Sequence, residues 1–209
     1  MTTAPGPTPV DFFFDPSCPF TWATSRWVTE VAGTGAAAVT WRLMSLGVLN
    51  EGKQIPEQYR AGMAQGARAL RALAAAGAEG GNDAVAALYT ALGTRRHGKG
   101  EPYTDEVIAD AVAEAGLPPA VAAAVAAAVA AAVDDEALDA AVRTSHEESQ
   151  SAVGQESGSP VVRLGGVAWF GPVVAPAPTG EEALRLFDAL RTLATVPSFS
   201  ELKTRRGEL

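Results

Sequence analysis

Cysteine and positive charge are both scarce in this chain. Cys18 is the only cysteine among 209 residues, so no internal disulfide can form. This excludes a small secreted scaffold held together by disulfide bonds. Acidic residues outnumber basic ones by 24 to 16, and the net charge is −8. Since nucleic-acid binding usually needs a basic face, we expect no nucleic-acid partner. The one basic cluster, Lys203, Arg205 and Arg206, is interpreted as a solvated chain end.

The sequence also lacks a long apolar run. The best candidate, residues 120–133, has 14 residues and is mostly alanine, whereas about 20 strongly apolar residues are needed to span a bilayer. Residues 1–9 are rich in Pro and Thr, are expected to be loose, and show no pattern of a signal peptide. We therefore expect no membrane partner and a cytoplasmic location. Hydrophobic residues make up 47% of the chain, enough for a sizeable buried core.

The first fifty residues have the pattern of a strand, a helix and a second strand. Val10–Phe14 is a short apolar and aromatic run, which predicts a buried strand. Pro19 fits the first turn of a helix, and Gly33 and Gly35 are expected to end it. Residues 39–44 alternate and contain many strand formers, so they predict the second strand. Such a unit is by default a right-handed βαβ crossover.

Residues 57–150 are dominated by alanine with helical spacing. Loops that contain Gly or Pro divide this region. We predict four helices, over residues 57–76, 82–96, 104–116 and 119–146. Valines recur every fourth residue in the last of these helices, which indicates one packing face; they are Val121, Val125, Val129 and Val133.

The remaining residues return to a sheet pattern. Two short apolar runs, at 160–164 and 167–170, are joined by Gly165-Gly166, which predicts a β-hairpin. An amphipathic helix is predicted over 180–194. The order βαβ, helices, ββα indicates an α/β protein with a thioredoxin-like (DsbA-type) domain. This domain is assigned to residues 10–55 and 151–209, and an all-α insertion domain to residues 56–150.

Cys18 is the candidate nucleophile. It follows a buried strand and opens a helix, where free backbone N–H groups and the helix dipole stabilise a thiolate. We therefore expect a lowered pKa and a reactive thiol; the alternative is a buried, inert cysteine. Thr21 lies one turn later, so its hydroxyl is expected to reach the sulfur. A hydroxyl can donate to a thiolate, but it cannot form a disulfide.

Ser159 and Pro160 form the second candidate element of the site. A proline directly before a strand predicts a turn or a cis peptide bond. In a thioredoxin-like domain, a cis-proline loop packs against the cysteine that opens the first helix. We therefore expect the Ser159–Pro160 bond to be cis and close to Cys18.

Several segments resemble the DsbA-like mycothiol-dependent nitroreductase family of actinobacteria. The similarity runs in order from about residue 10 to residue 206. It is carried by residues 14–22, Ser25-Arg26-Trp27, Met44-Ser45-Leu46, Leu49-Asn50-Glu51, residues 56–63, residues 88–93, His97, residues 115–118, residues 166–172 and Glu201-Leu202-Lys203.

The resemblance implies a cytoplasmic enzyme whose cysteine reacts with a low-molecular-weight thiol or its disulfide. It also implies that Asn50, Tyr59 and His97 line the pocket; the alternatives are a loop cap, a helix-surface Tyr and a surface His. Pro19 and Phe20 are assigned to the same thiol-binding site, as are Ser159 and Pro160. Reductases of the family carry Cys-Pro-Trp-Cys, whereas this chain has Cys-Pro-Phe-Thr.

Three hypotheses follow. The first is a monothiol thiol–disulfide oxidoreductase that uses Cys18 with mycothiol, or with a similar thiol such as glutathione. The second is a thiol S-transferase or thiol-dependent isomerase, similar to the kappa-class enzymes. The third is a degenerate, non-enzymatic member that binds a ligand. The expected partners are a small thiol and a small electrophilic or oxidised substrate, with no metal ion. The sequence leaves open whether the chain forms a homodimer.

Overall fold

The computed structural model describes residues 6–154 and 156–205, except for the side chain of Gln58. Four strands and seven α-helices follow one another in these ranges, together with a π-helical turn at Thr94–Gly98 and a 3₁₀ turn at Glu136–Leu138. The strands are β1 (Thr8–Phe14), β2 (Ala37–Leu43), β3 (Val161–Leu164) and β4 (Val167–Phe170). The helices are α1 (Pro19–Gly33), α2 (Leu46–Leu49), α3 (Glu57–Gly93), α4 (Asp105–Glu114), α5 (Pro119–Ala132), α6 (Asp139–Val153) and α7 (Gly180–Leu193).

The strands form one mixed sheet in the order β2-β1-β3-β4. β1 pairs with β2 in parallel, with Phe14 opposite Leu43. β3 runs antiparallel to both β1 and β4. The central position of β1 explains its three consecutive buried phenylalanines, because both faces of a central strand are covered. The fold is therefore α/β, with a thioredoxin-like sheet and a helical insertion between β2 and β3.

The two faces of β1 carry different contacts, as the period of two in a strand requires. Phe12 and Phe14 join the main core, where the Phe14 ring stacks on Tyr89 of α3 at 3.9 Å. Phe13 points to the other face and packs in a small cluster with Met44 and Val161. Through Tyr89, the helical insertion and the sheet belong to one continuous hydrophobic core.

The insertion packs through small side chains. α3 is one long helix interrupted at Gly81, whose φ of 65° and ψ of −158° are not helical. α5 lies against α3, and a Cβ at Gly80 would come within 2.9 Å of Val121. The predicted valine face is confirmed, since Val125 and Val129 are fully buried. Alanine and glycine therefore let these helices approach closely.

The structure corrects several element boundaries. The predicted helix 119–146 is wrong: it divides into α5 and α6, because Asp135 caps a 3₁₀ turn through the amide of Ala137. α6 also runs across the boundary assigned at residues 150 and 151. The short helix α2 was not predicted. Of the residues expected to be loose, Thr8 and Pro9 belong to β1, and residues 1–5 lie outside the described residues.

At the other end of the chain, Lys203 and Arg205 are exposed, and Arg206 lies outside the described residues. Among the described helices, none has the length and apolar character needed to cross a membrane.

Candidate active site

Cys18 is the N-cap residue of α1. Its backbone is extended, Pro19 occupies the first helical position, and the Cys18 carbonyl accepts the Trp22 amide at 3.0 Å. The Cys18 amide donates to the Asp15 carbonyl at 3.2 Å, which closes the turn between β1 and α1. The side chain is 9% exposed. The strand, turn and helix therefore place the thiol at a helix N-terminus but largely beneath the surface.

Burial raises the pKa of the Cys18 thiol. The Thr21 hydroxyl and the amides of Thr21 and Phe20 act in the opposite direction, and the nearby Asp15 carboxylate raises the pKa further. The thiol also donates to the Ser159 carbonyl at 3.7 Å, a contact that only the protonated form can make. The prediction of a lowered pKa is therefore wrong for this structure, because desolvation outweighs the helix N-terminus.

Thr21 and Ser159 meet beside the thiol. Their hydroxyl oxygens lie 2.7 Å apart, and the Ser159 oxygen also accepts the Asp15 amide at 3.0 Å. The Ser159–Pro160 peptide bond is cis. Two hydroxyl groups and one thiol are thus enclosed together, with Thr21 where a resolving thiol would lie in a Cys-x-x-Cys site.

Asp15 is a buried carboxylate at the centre of this turn. It is 2% exposed, and it accepts hydrogen bonds from the Ser17 amide at 2.8 Å, the Ser17 hydroxyl at 2.5 Å and the Leu46 amide at 2.7 Å. Burial raises its pKa, while these three donors act against the rise. Through these bonds Asp15 joins the cysteine turn to the start of α2.

His97 and Tyr103 hold the same turn from the insertion side. His97 Nε2 lies 2.9 Å from the Pro16 carbonyl oxygen, and the Tyr103 hydroxyl donates to that oxygen at 2.7 Å. Burial lowers the pKa of His97, so the neutral ring is favoured. The insertion therefore fixes the backbone two residues before Cys18.

Trp22 fills the space between α1 and α3. Its ring stacks on His97, with centroids 5.8 Å apart, and the Arg26 guanidinium lies 4.0 Å from its centroid. A Cβ at Gly93 would approach the ring to 2.2 Å, so only glycine allows this packing. Trp22, which follows Thr21 in α1, thus packs the first turns of α1 against the end of α3.

The remaining predicted site residues are placed differently. Pro19 is exposed and Phe20 is half-buried beside the thiol. The Asn50 amide donates to the Leu46 carbonyl at 2.8 Å, which is the local capping role given as its alternative. Tyr59, in the first turn of α3, is 55% exposed. The pocket roles of Asn50 and Tyr59 stay predictions.

Asp15, Ser17 and Tyr103 were not singled out from the sequence. For Asp15 the available signal was an acidic residue directly after a buried strand and three residues before the candidate nucleophile. Tyr103 carried no such signal, because its contact with Pro16 spans 87 positions of the chain. Within the described ranges, no group of three or more His, Cys, Asp or Glu side chains could hold a metal ion.

Comparison with known proteins gives both the fold and the family. Rv2286c of Mycobacterium tuberculosis, an uncharacterised protein, is 31% identical over 199 residues, covering 94% of this chain and 81% of the relative. The cytosolic disulfide reductase DsbM of Pseudomonas aeruginosa has a TM-score of 0.59 at 16% identity, over 88% of this chain and 99% of that chain. A 2-hydroxychromene-2-carboxylate isomerase has a TM-score of 0.60 at 14% identity, over 90% of this chain and 95% of that chain.

At these identities the two solved structures establish the fold alone, which is the DsbA-like thioredoxin fold. The family follows from a match that covers most of the chain: residues 17–204 fit the family described as Rv2466c-like, mycothiol-dependent nitroreductase Rv2466c. This chain therefore belongs to the Rv2466c-like family of mycothiol-dependent nitroreductases and is an oxidoreductase enzyme.

Proposed function

We propose that the protein is a monothiol thiol–disulfide oxidoreductase that uses Cys18 and a low-molecular-weight thiol, mycothiol or a similar one. One observation carries the proposal: the only cysteine caps α1 against the cis-proline loop, with the Thr21 hydroxyl in the place of a second thiol. Thr21 and Ser159, with Pro19, Phe20 and Pro160 around the thiol, are proposed to form the binding site. The proposed location is the cytoplasm.

The reaction has two steps. The Cys18 sulfur attacks one sulfur of an oxidised substrate, X–S–S–Y, forming Cys18–S–S–X and releasing Y–SH after proton transfer. A thiol R–SH then attacks the mixed disulfide, forming R–S–S–X and returning Cys18 as a thiol. An external thiol is required for the second step because the chain has no other cysteine.

Intact mass spectrometry tests the proposal. The protein is incubated with mycothiol disulfide and, separately, with glutathione disulfide; we expect one added thiol per chain, removed by excess free thiol. Cys18→Ser should take up none. If the wild type remains unmodified by both disulfides, the proposal is wrong and a non-enzymatic binding role is favoured.

A second candidate is a thiol S-transferase or thiol-dependent isomerase. The observation in its favour is that Cys18 is buried with a raised pKa, while the Thr21 hydroxyl beside it is a donor that could exchange its bond to Ser159 for one to the sulfur of a bound thiol. The likeness to the isomerase fold is compatible with this reaction. Formation of a thioether conjugate or an isomer with Cys18→Ser, without any change of redox state, would favour this candidate.

A further inference from the structure

The Asp15 carboxylate has no role in the two reaction steps of the proposed function. It is enclosed, it lies in the same turn as Cys18, and in the described part of the chain it forms no ion pair. A buried carboxylate without a cation is expensive to keep charged, so it readily accepts a proton. Its surroundings therefore favour proton uptake when a thiol ionises nearby.

Ser17 connects this carboxylate to the partly exposed side of the turn. Its hydroxyl donates to Asp15 Oδ1 at 2.5 Å, a short bond typical of a charge-assisted O–H···O⁻ contact. Ser17 is half-buried and precedes Cys18 in the chain. The Ser17 hydroxyl thus contacts the carboxylate from a residue that is partly exposed and directly precedes the nucleophile in the chain.

The backbone of α3 covers this pair. A Cβ built at Gly66 would lie 3.2 Å from the Ser17 hydroxyl oxygen and 3.6 Å from Asp15 Oδ1. The helix therefore lies against one side of the Ser17–Asp15 bond, while Ser17 itself stays partly exposed.

The other titratable groups near Asp15 do not compete for this role. Cys18 faces it from the same turn, and Tyr89 of α3 and Tyr103 interact with it electrostatically. Burial raises the pKa of both tyrosines, so they stay neutral. His97 Nε2 is engaged with the Pro16 carbonyl, and His146 of α6 reaches the Ser45 amide, next to the Leu46 amide that Asp15 holds.

We propose that Asp15, acting through the Ser17 hydroxyl, is the proton acceptor that ionises the incoming thiol in the second step. The proton of R–SH passes to the Ser17 oxygen as the Ser17 proton passes to Asp15 Oδ1. The thiolate R–S⁻ attacks the mixed disulfide, and the R–S–S–X bond forms as the bond to Cys18 breaks. The leaving Cys18 thiolate then regains the proton from Asp15 by the same path. This inference rests on the proposed function.

The test measures how fast free glutathione removes glutathione from the Cys18 mixed disulfide, by intact mass between pH 6.5 and 9.5. Asp15→Asn should slow this resolution about tenfold or more at pH 7, within the range of general-base catalysis. The deficit should disappear by pH 9.5, because the free thiol, with a pKa of about 8.5, then ionises by itself. Asp83→Asn, an exposed change on α3, should resolve like wild type.

A second measurement separates this role from a structural one. The pH dependence of Cys18 alkylation should show a lower thiol pKa in Asp15→Asn, since a nearby negative charge is removed. Slower resolution together with a more acidic thiol is the expected signature. A uniform loss of rate at every pH, or a thiol pKa that does not fall, overturns the proposal.

Ser17→Ala keeps the carboxylate and carries the test if Asp15→Asn does not fold. It should show the same pH-dependent deficit. When Asp15→Asn folds, the double variant should resolve the adduct no more slowly than Asp15→Asn, because two members of one relay are not additive. Additive losses would contradict the relay. If wild type forms no mixed disulfide, the proposed function fails; if it forms one and Asp15→Asn and Ser17→Ala resolve it normally, only the relay fails.

Discussion

The sheet half around Cys18 and the helical insertion bury different kinds of side chain. The sheet half encloses polar groups that hold one another by hydrogen bonds: Asp15, Thr21 and Ser159. The insertion core is built mainly of alanine, valine and leucine, and its arginines pair with more exposed carboxylates around that core, as Arg71 does with Asp139 at 2.7 Å. Hydrogen-bond direction therefore positions the buried side chains around Cys18, whereas side-chain size sets how closely the helices of the insertion pack.

The two regions should therefore respond differently to substitutions. A hydrogen-bonded site loses its chemistry when one donor or acceptor changes, because the remaining partners are left unsatisfied. A core of small side chains loses stability when a volume changes, while its chemistry is not affected. The border between them, where Trp22 and Tyr89 meet, should show both effects.

The largest effect is expected at position 21. Thr21→Cys should form a disulfide with Cys18 and resolve mixed disulfides without external thiol, because residues three apart share one helix face. The lifetime of the adduct after a brief pulse of oxidised thiol should fall more than about tenfold, within the range that one positioned group contributes. Thr21→Val, which keeps the shape, should instead raise the Cys18 pKa. An adduct that lasts as long in Thr21→Cys as in wild type shows that residue 21 does not face the thiol.

The border can be tested with two glycines of α3. Gly93→Ala should lower the free energy of unfolding by about 3 kcal/mol, because its methyl group overlaps the Trp22 ring. Gly62→Ala meets nothing within 4 Å and should raise stability by about 1 kcal/mol through helix propensity. Urea denaturation measures both. Equal effects of the two changes would place Trp22 elsewhere.

The insertion core should respond in stability alone. Val125→Ala opens a cavity between α5 and α3 and should destabilise the protein by about 2 kcal/mol. The pH dependence of Cys18 alkylation should stay the same as in wild type. Val196→Ala, at an exposed position, should change stability by less than about 0.5 kcal/mol. A shifted thiol pKa in Val125→Ala would contradict the separation between the two regions.

The smallest effect concerns pH. Burial lowers the pKa of both histidines, His97 and His146, in the folded protein. The unfolded chain therefore binds more protons below its histidine pKa of about 6.5, and stability should fall as pH decreases from 7.5 to 5.5. His97→Gln and His146→Gln should each reduce this fall in urea denaturation. An unchanged pH dependence in both variants would show that the rings are already solvated.

The sequence predicted the parts of the fold that depend on local patterns. The aromatic run of β1, Pro19 at the start of α1 and Gly165-Gly166 in the hairpin each restrict the backbone near themselves. The 119–146 region was predicted less well, because alanine is a strong helix former throughout and gives no periodic signal of where the helix divides. α5 ends at Ala132, and Asp135 starts the following 3₁₀ turn through one capping bond.

The candidate site likewise has a part that local sequence predicts and a part that depends on distant contacts. The sequence by itself determined that one cysteine opens a helix with a hydroxyl one turn later, because these are neighbours along the chain. Only the tertiary structure decided that Asp15 is buried, that His97 and Tyr103 hold Pro16, and that Ser159 reaches both Thr21 and Cys18. It also reversed the expected pKa of Cys18, because desolvation depends on every segment that covers a group, and these segments are far apart in sequence.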